Sequence, residues 1–191
     1  MSKNIEYHPL TPFLPEGARI LMLGSFPPKK ERWSMEWFYP NWINDMWRLM
    51  RLIFHNDKRY FEVDGEKRFD KERIVHFCTD KGIALYDTAS AVRRLKDNAS
   101  DKFLEIVIPT DIEGLLASIP QCKAIVTTGQ KATDVIVERF GCQEPSVGGM
   151  TNITIGERRL DLWRMPSSSR AYPLALEKKA EFYKKLFHTY F

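Results

Sequence analysis

Three short apolar runs, at residues 19–23, 83–86 and 124–127, each break into a loop and then into a stretch with helical spacing. No other feature of the chain constrains its fold as strongly, because strand, loop and helix in repetition specify an α/β protein built on a parallel sheet. A fourth run, residues 160–164, empties into Met165-Pro166-Ser167-Ser168-Ser169-Arg170 and completes an expected set of four core strands. With 191 residues, 43% of them hydrophobic, the chain can bury one substantial core, so a single domain over residues 1–191 is expected.

Helical spacing fills the intervals. Met46, Met50 and Ile53 mark a helix over residues 43–54, and Ile74, Phe77 and Cys78 mark one over 70–79. Thr110-Asp111-Ile112-Glu113 matches a capping box and starts a short helix that Pro120 stops. Residues 130–140 form a helix ended by Gly141. The last helix turns Leu174, Phe182, Leu186 and Phe187 inward, which leaves Lys178, Lys179, Lys184 and Lys185 as a solvated face. Residues 152–165 alternate around an Ile155-Gly156-Glu157-Arg158 turn and read as a hairpin or two consecutive strands, while 55–69 and 141–150 read as surface loops.

Ligands of open α/β sheets bind outside the carboxyl ends of the strands. Four such ends are on offer and are expected to converge: Gly24-Ser25-Phe26-Pro27-Pro28, Asp87-Thr88, Thr128-Gly129-Gln130, and Pro166 to Arg170. The first is the most distinctive, since Gly24 permits close approach and two prolines set the loop's path. About twenty residues on, the Phe38 to Trp47 segment combines aromatics with Asn41 and Asn44, a composition suited to a flat, hydrogen-bonding ligand such as a nucleobase. Phe38 and Tyr39 are candidates to stack on it, whereas Trp47 shares helical spacing with Met50 and reads as core. Asn44 is either a site residue or a cap on the helix that follows; Thr128 caps its helix or faces the site; Asp87 serves water or sugar, or caps a turn.

Charge and cysteine usage narrow the classes. The net charge of +4 permits a nucleic-acid partner without demanding one, and basic residues gather at Lys29, Lys30 and Arg32, at Arg93, Arg94 and Lys96, at Arg158 and Arg159, and at Arg164 and Arg170. Cys78, Cys122 and Cys142 lack metal-ligand spacing and fit a reducing compartment. Residues 1–10 carry no apolar run of signal-peptide length and no stretch is long enough to span a bilayer, so a cytoplasmic protein is expected. His8, His55, His76 and His188 sit in an N-terminal arm, a loop, an apolar helix and the chain end, away from every strand-end motif, which argues against a serine hydrolase. His76 beside Cys78 reads as core, and no phosphate-loop or dinucleotide motif occurs.

These loops, in this order, resemble the uracil-DNA glycosylase superfamily, most closely its hypoxanthine-DNA glycosylase and mismatch-type branches. Gly24-Ser25-Phe26-Pro27-Pro28 is similar to the superfamily's first motif, and Tyr39 with Asn44 to Trp47 to the branch's aromatic, proline, Asn-x-Phe-Trp segment. Gly82 to Thr88 is similar to its Gly-Ile-x-Leu-Trp-Asp-Val strand, and Met165-Pro166-Ser167-Ser168-Ser169 to its Leu-Pro-Ser-Thr-Ser motif. The resemblance implies a three-layer α/β/α sandwich around a mostly parallel four-stranded sheet. It implies a monofunctional DNA glycosylase of base excision repair, a hydrolase that flips a deaminated base, uracil or hypoxanthine, and cuts its N-glycosidic bond without metal or cofactor. The implied partner is DNA carrying a damaged base, with the protein a monomer.

By motif position the resemblance makes Asn44 the catalytic, water-positioning residue. Gly24, Ser25, Phe26, Phe38, Tyr39 and Thr128 would surround the base, with Phe26 either stacking on it or offering its backbone amide. Pro27, Pro28, Ser167, Ser168, Ser169 and Arg170 would meet the DNA, Arg170 as a wedge or a phosphate contact. Thr128 stands where the family carries an asparagine, Met165 where the classical uracil enzymes carry a histidine, and Tyr172 departs from the usual continuation. Those departures keep open a second reading, a non-catalytic DNA- or nucleoside-binding member of the same fold.

Overall fold

The computed structural model describes residues 4–96 and 101–191; residues 1–3 and 97–100, part of the expected domain, lie outside them. The strands are β1 (Ile5–Tyr7), β2 (Ile20–Gly24), β3 (Ile83–Asp87), β4 (Ala89–Arg94), β5 (Leu104–Pro109), β6 (Ala124–Thr128), β7 (Met150–Ile155) and β8 (Arg158–Met165). The helices are α1 (Met46–Phe54), α2 (Lys71–Lys81), α3 (Ile112–Ser118), α4 (Gln130–Phe140) and α5 (Leu176–Tyr190).

The four expected strands form the parallel part of one sheet in the order β3-β2-β6-β8. The sheet has five strands rather than four, because β7 adds an antiparallel edge through the hairpin with β8. Every residue of β2, β3 and β6 is buried, which is why these segments read as continuous apolar runs rather than alternating ones. The turn of the hairpin is carried by Gly156 at φ 58°.

The register does the first work toward a site. Gly24 pairs with Asp87 and Thr128 with Met165, so the last residues of all four parallel strands end at one edge. A second sheet, antiparallel and ordered β1-β4-β5, stands beside that edge. Only Thr88 separates β3 from β4, so the chain passes directly from the strand end into the second sheet.

Helix boundaries follow local chemistry. The first helix begins at Met46 and not at residue 43, because Asn41 Oδ1 accepts from the Ile43 amide and Asn44 Oδ1 from the Met46 amide. Such local side-chain bonds compete with helix. Asp70 caps α2 through the Arg73 amide, and Gly82, in the left-handed region at φ 69°, ends it. In the expected capping box the cap is Asp111, which accepts from the Gly114 amide; Thr110 instead donates its hydroxyl to Asp87 O, 2.7 Å away.

Trp47 is core as expected, its indole N–H donating to Phe38 O at 3.1 Å and its ring stacked on Trp37. The stretch 55–69 is more than a surface loop, since Phe61 and Phe69 are buried in the same core. Two further expectations are overturned. Lys179 is fully buried rather than solvated, and His76 is exposed on the outer face of α2 rather than core.

Candidate functional site

The Gly24 to Pro28 loop leaves the central strand and is clamped from two sides. Arg94 on β4 donates to Pro27 O at 2.7 Å, and the Trp33 indole donates to Pro28 O at 2.7 Å. Two prolines cannot anchor through amides of their own, so the carbonyls carry the attachment. Arg94 is therefore occupied by this loop and by Glu6, and Arg158 by the carbonyls of Leu116, Pro120 and Cys122. Arg164 is likewise bonded to Glu144, Pro145 O and Gln130. Three of the basic residues that could have met DNA are thus committed to the fold.

Against this loop lies a small pocket of about 70 Å³ lined by Pro27, Pro28, Phe38, Tyr39, Pro40, Asn41, Asn44 and Asp87. Prolines and a phenyl ring make apolar walls; Asn44, Asp87 and the Tyr39 phenol supply the polar groups. Pockets of this kind, mostly apolar with few fixed polar atoms, are how proteins hold small flat ligands. Of the residues singled out from sequence, it brings together Asn41, Asn44, Phe38, Tyr39, Asp87, Pro27 and Pro28.

Tyr39 sits at φ 49°, the one positive φ at a non-glycine residue among those described, immediately before Pro40. A bulky side chain pays for that conformation only where its surroundings hold it. The hold is visible: the Tyr39 hydroxyl lies 3.0 Å from Thr128 Oγ1, and its ring meets Trp47 edge-on. Burial and the negative charge of Asp87 push the Tyr39 pKa up, so the phenol keeps its proton at neutral pH. Thr128 thus does not cap α4, whose cap residue is Gly129; its hydroxyl is shared with Tyr39 and reaches Leu23 O at 3.4 Å.

Asn44 is not the cap residue of α1, which is Asp45, but it lies just ahead of it. Its side chain lines the pocket, and its Oδ1 also accepts from the Met46 amide at 2.9 Å at the start of α1. Its carboxamide NH₂ has no hydrogen-bond partner among the described residues. Gly24 lies beneath the pocket, where an added Cβ would stand 2.5 Å from Asp87 Oδ1. Ser25 and Phe26 do not line the pocket. The Ser25 hydroxyl donates to Asp101 Oδ2 at 2.6 Å, and Phe26 packs with Ala89, Val92 and Leu104 under the second sheet.

The loop after β8 is held in place from α5 and α1. Tyr183 donates its hydroxyl to Pro166 O at 2.9 Å, Lys179 donates to Ser169 O at 2.7 Å, and Ser168 O accepts from the Asp45 amide at 2.9 Å. Ser167 and Ser169 accept from amides two residues on, at Ser169 and Ala171, and none of the serines caps α5. Arg170 pairs with Asp45 at 3.2 Å but leaves half of its side chain exposed.

One residue reaches this edge that sequence placed elsewhere. His8, at the end of β1, puts Nε2 2.8 Å from Asp87 Oδ2, and its ring packs against Phe26, Phe38 and Tyr86. The expectation that no histidine lies near a strand-end motif is therefore corrected. Nothing local marks His8, because its hydrogen-bond partner Asp87 is 79 residues away in sequence. No group of His, Cys, Asp or Glu able to hold a metal ion occurs among the described residues. No helix there is long and apolar enough to cross a membrane.

No protein-family model and no curated protein matches the chain. Among solved structures it is similar to the solution NMR structure of "a putative Uracil DNA glycosylase from Methanosarcina acetivorans". The two superpose with a TM-score of 0.66 at 21% sequence identity, over 97% of this chain and 98% of the other. Over nearly its whole length the protein therefore shares the fold of that solved structure.

Proposed function

We propose that the protein is a monofunctional DNA glycosylase that flips a deaminated base, uracil or hypoxanthine, out of DNA and hydrolyses its N-glycosidic bond. The observation that carries this reading is the pocket at the carboxyl ends of the parallel strands. There an aromatic and proline wall meets Asn44, in a chain with the fold of a protein described as a putative uracil DNA glycosylase. Base flipping needs a small pocket with stacking walls and a few polar atoms. Hydrolysis needs a water held against C1′ while the bond to the base loosens: the water oxygen bonds C1′, one of its protons is released, and the bond electrons leave with the base. Asn44 positions that water without adding charge beside the phosphates.

Phe38 and Tyr39 hold the base; Pro27, Pro28, Ser167 to Ser169 and Arg170 face the DNA, with Arg170 at a phosphate. Gly24 makes room, while Ser25, Phe26 and Thr128 support the pocket's walls rather than form them. The reading includes a single domain of three α/β/α layers, a monomer, acting in the cytoplasm on damaged DNA, with no cofactor.

One observation favours a binding protein without turnover: Asn44 Oδ1 is already bonded to the Met46 amide. An excision assay decides between the two. End-labelled oligonucleotides carrying uracil or hypoxanthine are incubated with protein and then treated with mild alkali, wild type beside Asn44→Ala. Cleavage that the variant loses supports the glycosylase; salt-sensitive binding with no cleavage on any substrate supports the binding protein and overturns the catalytic reading.

A further inference from the structure

Asp87 is buried at 8% exposure, and its carboxylate does none of the structural work expected of a strand-end aspartate. Among the described residues it accepts from no backbone amide, so it caps no turn; the bonds that fasten this corner end on main-chain carbonyls, Thr88 N to Gly24 O and the Thr110 hydroxyl to Asp87 O. Oδ2 is taken by His8 Nε2 at 2.8 Å, while Oδ1 has no hydrogen-bond partner among the described residues and lies on the Gly24 side, in a residue that lines the pocket.

His8 is held too firmly to be an incidental partner. Its Nδ1 lies 3.0 Å from Leu10 O and 3.1 Å from Leu10 N, and its ring is wedged among Tyr86 at 4.5 Å, Phe26 at 5.3 Å and Phe38 at 6.3 Å between centroids. The Leu10 backbone holds the ring at Nδ1, and opposite a carboxylate, which only accepts, Nε2 is the donor. Burying a carboxylate is costly unless it is paired, and this pairing satisfies one oxygen while leaving the other as an acceptor without a partner among the described residues.

Resting on the glycosylase reading, we propose that Asp87 reads the flipped base by accepting a hydrogen bond from a ring or exocyclic N–H through Oδ1, and that His8 is its positioning residue. The substrate class follows from acceptor-only chemistry. A base that turns an N–H toward Asp87 gains a charge-assisted bond, whereas one that turns a carbonyl there meets repulsion in a dry site. Gly24 belongs to the same device, because a side chain at that position would collide with Oδ1.

The test uses Asp87→Asn, which keeps the shape but turns the acceptor-only group into a mixed one, with His8→Phe and His8→Gln. Phenylalanine fills the ring's place without the donor; glutamine restores an N–H near Nε2. Excision rates are measured on a panel of bases, with kcat and KM separated, alongside thermal unfolding and NMR titration of the free bases uracil and hypoxanthine. Asp87→Asn is expected to lower kcat/KM on the preferred base by about 10- to 100-fold and to change the rank order of bases, the scale of an unmet hydrogen bond in a closed pocket. His8→Phe is expected to follow it and His8→Gln to recover part of the loss.

Wild-type excision that neither Asp87→Asn nor His8→Phe alters in rate or rank overturns this inference and leaves the glycosylase standing. If the wild type excises nothing, the glycosylase reading falls and the titration decides: base binding lost in Asp87→Asn supports the role of Asp87, and binding unchanged or absent overturns it.

Discussion

Lys179 Nζ stands 3.0 Å from Asp45 Oδ2 with the lysine side chain wholly enclosed, and the same ammonium donates to Ser169 O at 2.7 Å. One buried cation thus ties together the start of α1, the loop after β8 and α5. Lys179→Met would strand Asp45 with Arg170, whose side chain is half exposed, as its remaining partner. Breaking a buried pair from one side costs about 3–5 kcal/mol, so urea unfolding of Lys179→Met should show a loss of that order. Adding Asp45→Asn to it should recover part of the loss, and a midpoint unchanged by Lys179→Met would contradict the pairing.

Asn44 carries two jobs that substitution can separate. Asn44→Ala removes the bond to the Met46 amide and should cost about 1 kcal/mol by denaturant unfolding, the usual value of a helix-start side-chain acceptor. Asn44→Asp keeps that acceptor and should unfold near the wild-type midpoint. If excision is lost in both, the role of Asn44 in the reaction is distinct from its role at the helix start.

Tyr39→Phe deletes the hydroxyl shared with Thr128 and leaves Thr128 Oγ1 with the 3.4 Å bond to Leu23 O. A stability loss of about 1 kcal/mol is expected. The larger effect should be on function, read as a higher KM, because the phenol also sets one wall of the pocket.

Gly24→Ala is expected to be harsher than its size suggests. The new Cβ would lie 2.5 Å from Asp87 Oδ1, and Asp87 cannot retreat without giving up His8. Overpacking of this kind typically costs about 1–3 kcal/mol, and excision should fall with it. A crystal structure of the variant should show the carboxylate displaced.

His55 supplies a pH dependence. Burial, with Lys81 nearby, lowers its pKa below the ordinary imidazole value, and its Nε2 is enclosed without a partner among the described residues. The folded state therefore prefers the neutral ring, and the unfolded chain binds more protons as pH falls through about 6.5. Stability should fall as pH drops below the ordinary imidazole pKa of about 6.5, and His55→Phe, which cannot titrate, should flatten that slope. Thermal unfolding of both proteins across the range checks it; parallel curves would refute it.

What could be read from sequence was what is local. The four parallel strands, the hairpin at Gly156 and the helix ended by Gly141 were legible because apolar runs, helical spacing and turn glycines act within a few residues. The strand-end loops could be placed at one edge for the same reason, once the strands were taken as parallel. The second sheet was not legible. β1 is three residues long with an exposed edge, and β5 alternates poorly, so neither carries a pattern of its own. Lys179 and His8 were misplaced because their burial is determined by partners 134 and 79 residues away. The expected capping box failed by one residue, since Thr110 is drawn off by a carbonyl 23 residues upstream.

The pairing of β1 with β4 joins Ile5 to Arg93, so the pocket's edge is finished by a ribbon that is nearly independent of the main core. Contacts of such long sequence separation form slowly, and short exposed edge strands are among the first to open. Release of β1 together with His8, whose amide bonds Ser90 O, would leave the parallel sheet intact yet part His8 from Asp87. Competence of the site is then a separate equilibrium from folding, one that amide exchange at β1 would follow while the main core stays protected.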